Sequence, residues 1–152
     1  MDTDTNRPDD IDAEIHALRA RAQAIAAARA QREEASEPTE ALIKARRDLA
    51  DEEAIEKAIA EHGKLDEKIA VIRTALGAVI VKRPSAMRFK KLQDQGADFK
   101  SIEVERFVRP SLIYPDVERF DQMTEDLPAI WMDCCSAMFR LCGVRKDDIE
   151  KK

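Results

Sequence analysis

The stretch that decides the fold is Ile11-Asp12-Ala13-Glu14-Ile15-His16-Ala17-Leu18-Arg19-Ala20-Arg21-Ala22-Gln23-Ala24-Ile25. Ile11, Ile15, Leu18, Ala22 and Ile25 recur at spacings of 4, 3, 4 and 3, which puts all five on one stripe of an α-helix, as in a coiled-coil seam. Between them stand mostly Ala, Arg and Gln, all strong helix formers. Asp9 or Asp10 caps this helix, because a short carboxylate there accepts from the unpaired backbone N–H groups of the first turn. The next seam position is Arg29, so the stripe ends there or drifts to Ala28. The eight residues before the helix, polar and closing on Pro8, read as a disordered lead.

Glu33 to Thr39 interrupts the pattern, since Pro38 inside a helix forfeits a hydrogen bond and clashes with the preceding turn. A second helix is expected from about Thr39 to Glu61, stopped by His62-Gly63. Leu42, Ala45 and Leu49 share a face of it, with Ile55 and Ile59 well round from that face. Residues 9–62 therefore form a helical arm that is either a hairpin or one bent helix. The extended form would reach roughly 75–80 Å at 1.5 Å per residue.

The one good strand signal follows. Ile69-Ala70-Val71-Ile72-Arg73 and Ala78-Val79-Ile80-Val81-Lys82 are rich in β-branched residues, and Thr74-Ala75-Leu76-Gly77 between them reads as a turn. A lone two-stranded hairpin is marginal in water, so this one must pack on helices. Pro84 opens a helix to about Asp94, stopped by Gly96. Asp98 or Ser101 caps another that reaches Val108, and Ser111–Pro115 is a linker too apolar to be solvated. Asp116 caps a third helix, on which Val117, Phe120, Thr124 and Leu127 share a face. Pro128 suits the first turn of a last helix, which Gly143 ends. On that helix Ile130, Cys134, Ala137, Met138 and Leu141 form one face, and Trp131, Cys135, Phe139 and Cys142 extend it. A helix so apolar sits at the centre of its domain or faces a partner. The fold class is thus mainly α: a long N-terminal helical arm, then a small α-rich domain over residues 64–143 with a β-hairpin at 69–82, then a charged tail at 144–152.

Composition agrees with a solvated helix beside a modest core. Of the 152 residues 38% are charged and only 5% aromatic. Lys and Arg number 26 against 31 Asp and Glu, a net charge of −5, which argues against general nucleic-acid binding. The charge is uneven: residues 1–66 hold 10 bases and 17 acids, net −7, while the remainder is net +2. No run of about 18 apolar residues would span a membrane. The acidic, polar start resembles no secretory signal. Cys134, Cys135 and Cys142 are an odd set without a C-x-x-C, so a reducing compartment, the cytoplasm, is expected.

Little in the sequence carries chemistry. His16 and His62 stand on or beside highly charged helix surface without convergent partners. The cysteines lack ligand spacing and read as small buried hydrophobes rather than a metal site. Acidic runs such as Asp51-Glu52-Glu53 point in different directions on a helix and read as surface charge. The one basic cluster, Lys82, Arg83, Arg88, Lys90 and Lys91 around Phe89, reads as a solvated face. A nucleic-acid role would instead show binding that weakens steeply with salt. No nucleotide-binding glycine motif is present. The chain reads as a non-enzymatic interaction protein without a cofactor. Its candidate partner-binding residues are Ile11, Ile15, Leu18 and Ile25 on the seam and Trp131 and Phe139 on the last helix. Self-association through the arm is the alternative use of the seam.

Several segments occur in a telling order: Lys64–Val81 with its hairpin, Arg83-Pro84, Val108-Arg109-Pro110, Ile113-Tyr114-Pro115-Asp116, Phe120, Leu127-Pro128 and Leu141-Cys142-Gly143. This order resembles the tail assembly chaperones of tailed bacteriophages over residues 64–143. In that family a "vvvRP" step precedes a "vvyPd" segment and a final helix ending in "l.G". The resemblance implies a host-cytoplasmic, non-enzymatic assembly factor. Its partners would be the long, helical tape measure protein, which it keeps soluble, and the tail-tube protein, which polymerises around it. A structural virion protein of the tail or neck is the alternative.

Overall fold

The computed structural model describes residues 8–96 and 100–144. The expected disordered lead and charged tail, apart from Pro8 and Val144, lie outside the described residues, as does Asp98. The chain divides into two compact units, residues 1–46 and 47–152.

The arm is one helix, α1 (Pro8–His62), rather than two. Asp9 and Asp10 stand in its first turn, where the positive end of the helix dipole favours carboxylates. The expected break at Glu33–Thr39 does not occur, and Pro38 lies inside the helix. Its neighbours explain this. Glu33, Glu34, Ala35, Glu37, Glu40, Ala41 and Leu42 favour helix on both sides. The segment is also largely exposed, so water can donate to the Glu34 carbonyl, which receives no N–H from Pro38. The Ser36 hydroxyl adds a local hydrogen bond, donating to the Glu33 carbonyl at 3.0 Å. Gly63 ends the helix with φ of 117°; a Cβ there would meet Lys68 Cγ at 2.9 Å.

In the second unit β1 (Ile69–Thr74) and β2 (Gly77–Lys82) pair antiparallel, Val71 opposite Ile80 and Ile72 opposite Val79. A third strand, β3 (Leu112–Tyr114), joins β2 antiparallel, with a register shift between Ile80 and Val81. The apolar linker expected over Ser111–Pro115 is thus in part a strand. Its backbone groups pair with β2, so the apolar side chains are brought into the sheet instead of being solvated.

The strands read as near-continuous apolar runs because both sheet faces are covered. Alternation along β1 and β2 divides their residues between two cores. Ile69, Val71, Ile80, Ile113 and Tyr114 pack with Ile55 and Ala58 of α1. Ala70, Ile72, Val79 and Val81 pack with the later helices. Those helices are α2 (Ala86–Gln93), α3 (Ser101–Val108), α4 (Val117–Asp126) and α5 (Ile130–Leu141), with a 3-10 turn at Arg109–Ser111. Their starts follow local capping chemistry. Ser85 Oγ accepts from Arg88 N and Asp116 Oδ1 from Arg119 N. Before α3 the cap position is Lys100 rather than Ser101, and the Glu103 carboxylate accepts from Lys100 N. Pro128 precedes α5, its carbonyl accepting from Trp131 N.

Candidate interaction surface

In the first unit, helical periodicity holds Ile11, Ile15, Leu18 and Ile25 on one side of α1. They are 42%, 41%, 56% and 59% exposed, so within its own unit the stripe lies open among the described residues. Around it the helix carries acids near its start and arginines further along, with Ala between. Such a surface has no cavity and no convergent polar groups. What it offers is a narrow, ridged apolar strip for side-by-side packing of another helix.

Trp131 and Phe139 belong to a different environment. Both are half-buried and pack against the core of the second unit. The Trp131 ring meets Phe120 edge-on at 5.0 Å between centroids, and the Arg109 guanidinium lies 5.2 Å over it. Arg109 is held in turn by Asp121 at 2.9 Å. Phe139 stacks edge-on with Phe89 and Phe107 at 5.5 and 5.8 Å. Along α5, Ile130, Cys134, Cys135, Ala137, Met138 and Leu141 are buried, while Met132, Asp133 and Arg140 are exposed. The last helix is therefore central to its unit, with Trp131 and Phe139 wedged at the core's margin.

Two groups read from the sequence as surface charge are not. Asp51 is only 3% exposed. Its Oδ2 accepts from Ala78 N at 3.0 Å and its Oδ1 from the Tyr114 hydroxyl at 2.9 Å. One carboxylate thus ties α1 to the start of β2 and to β3. The β1–β2 turn crowds against it: Gly77 has φ of 129°, and a Cβ there would lie 3.3 to 3.4 Å from Arg47 Cδ, Arg119 Nη2 and Asp51 Oδ2. Burial first, and then the hydrogen bond to Asp51, raise the pKa of Tyr114. The second group is Arg88, which leaves the basic cluster and turns inward. Its guanidinium donates to Ser111 Oγ at 3.1 Å and to the Phe107 carbonyl, and lies 5.8 Å over the Phe107 ring. Burial lowers its pKa. Lys82, Arg83, Lys90 and Lys91 remain exposed.

These groups have structural work. Both Asp51 oxygens are occupied, and Arg88 braces α2 against the segment from Phe107 to Ser111. A shallow cleft of about 220 Å³ lies between α2 and α3, lined by Arg88, Lys91, Arg106, Glu103 and Phe107 among others. Its one inward guanidinium is already committed to protein acceptors. His16 and His62 are exposed, the latter 3.9 Å from Glu61. Cys134 and Cys135 are buried, and burial pushes their thiols up to about 12 and about 11. Among the described residues no group of three or more His, Cys, Asp or Glu side chains could hold a metal ion. Nor is any described helix long and apolar enough to cross a membrane.

No match is found. Protein families, curated proteins and solved structures compared with this chain all fail to align with it. The reading of its surface thus rests on its own residues. Sequence periodicity located the stripe on α1. It missed Asp51 and Arg88 because burial of a charge depends on which distant groups meet it. The near-unbroken apolar run of β2 was the available signal that two layers must cover the sheet.

Proposed function

We propose that the chain is a tail assembly chaperone, a non-enzymatic protein that lays the stripe of Ile11, Ile15, Leu18 and Ile25 against an apolar helix face of the tape measure protein. The observation that carries this reading is the stripe itself: four large aliphatic side chains in coiled-coil spacing, each more than two-fifths exposed. A long helical client presents apolar faces that aggregate unless covered, and a matching helical stripe covers them by interdigitation. The charges flanking the stripe keep the pair soluble. The ordered segments from Arg109-Pro110 to Leu141-Cys142-Gly143, which resemble the chaperone family, support the same reading.

The test is co-expression with the tape measure protein encoded nearest to this chain. Deleting the whole arm is a poor control, since Asp51, Ile55 and Ala58 belong to the buried part of the second unit. Ile15→Asp with Leu18→Asp alters the stripe at exposed positions and leaves that core intact. The expected outcome is a soluble client that co-purifies with the wild-type chain and is lost with the double variant. An aggregated client beside a free 17.2 kDa protein overturns the proposal.

A further inference from the structure

Charge order along α1 says how its exposed stripe is occupied before any client arrives. Asp9, Asp10, Asp12 and Glu14 are acidic with no base among them. From Ile15 to Arg32 the helix carries Arg19, Arg21, Arg29 and Arg32 and no acid. The stripe runs across the junction of these two blocks. Asp12 and Arg19 border it on one side, each following a seam residue. Glu14 and Arg21 border it on the other, each preceding one.

We infer that two copies of the chain pair antiparallel through this stripe. In antiparallel pairs of helices each border faces the same border of the partner, in reversed order. With the axis of symmetry between Ile15 and Leu18, Asp12 faces the second copy's Arg19, and Glu14 faces its Arg21. Each contact occurs twice, giving four attractive pairs. From Ile11 to Ala22 the seam agrees with this register, while Ile25 falls opposite the second copy's Pro8. Ile15 packs with the second copy's Leu18, and Ile11 packs with its Ala22, so a large side chain meets a small one. A parallel pair is poorer on both counts. It sets Ala22 against Ala22, leaving a thin layer, and offers only the Glu14–Arg19 pairing. The stripe is short, so the dimer is weak and reversible, which suits a face that must later be yielded. The inference stands on the face and its charges alone and does not depend on the identity of the client.

Sedimentation equilibrium of the full chain, from micromolar to near-millimolar concentration and at two salt concentrations, tests it. A monomer–dimer equilibrium that weakens with salt is expected. Ile15→Asp with Leu18→Asp should leave a monomer. Arg21→Glu should raise the dissociation constant by about tenfold or more, since two attractive pairs become repulsive. Adding Glu14→Arg to Arg21→Glu should restore it, because the pairing is rebuilt with signs exchanged. A parallel dimer behaves oppositely: Arg21 faces Ala26 there, so Arg21→Glu is silent, and Glu14→Arg then repels Arg19. All four positions are exposed, and retained helicity by circular dichroism confirms that the variants fold. The inference is overturned by a monomer at every concentration, by a dimer indifferent to Ile15→Asp with Leu18→Asp, or by a double charge variant weaker than Arg21→Glu alone.

Discussion

At the scale of single residues, the buried Asp51 carboxylate matters most. It has two acceptor oxygens and two donors, Ala78 N and the Tyr114 hydroxyl. Asparagine can accept at only one of those positions, so Asp51→Asn leaves one buried donor facing an amide. The expected loss is about 1.5–3 kcal/mol in urea unfolding. Tyr114→Phe removes one donor, and its cost should largely vanish when Asp51 is already replaced, since the two share one hydrogen bond. Additive losses would mean that the pair is not coupled. The thiols give a second prediction. An unfolded thiol loses its proton near pH 9, whereas the folded chain holds those of Cys134 and Cys135 until about 12 and about 11. Between these limits the folded state binds more protons, so stability falls as pH rises from about 9 towards 11. Tyr114, also raised, acts in the same direction. Cys134→Ala with Cys135→Ala should flatten that fall while lowering stability at neutral pH. In the native protein a thiol reagent at pH 8 should reach Cys142 first, because the other two are almost fully buried.

Among the elements, α1 shows how a local rule yields to its context. Pro38 was expected to divide the arm, and the chain runs helical through it. The penalty of about 3 kcal/mol for an interior proline does not vanish; it is carried locally, where the helix opens most readily. Pro38→Ala should slow amide exchange around residues 34–42 by up to about a hundredfold, since each tenfold corresponds to about 1.4 kcal/mol. Unchanged exchange would show that proline is not the weak point. Elements with a strong local signature were legible: the stripe of α1, the β1–β2 hairpin, the Asp116 cap and the glycine stop at Gly63, whereas the helix expected to open at Pro84 is capped by Ser85. β3 was not, because three residues between Pro110 and Pro115 carry no period and become a strand only through pairing with β2. Arg88 was read with the lysines beside it, since nothing local distinguishes the cation that meets Ser111 from those that meet water.

For the whole molecule, the distribution of buried residues separates stability from binding. Every buried side chain among the described residues lies between Asp51 and Leu141, and none belongs to residues 8–46. The stripe assigned to binding lies wholly in residues 11–25. A chain shortened to residues 47–152 keeps Ile55 and Ala58 against Ile69 and Ile80, and keeps Asp51 with both donors. Its urea transition, followed by the fluorescence of Trp131 against Phe120, should therefore match that of the full chain in midpoint. The slope with denaturant should hardly differ, because it scales with surface newly exposed on unfolding and an uncovered helix adds little. Dimerisation and client capture should both disappear. A much lower midpoint would mean that residues 1–46 contribute to the core. Capture that persisted would move the binding face to the second unit, where Leu49, Leu65, Met87, Ile102, Val117 and Met132 are exposed apolar side chains to test.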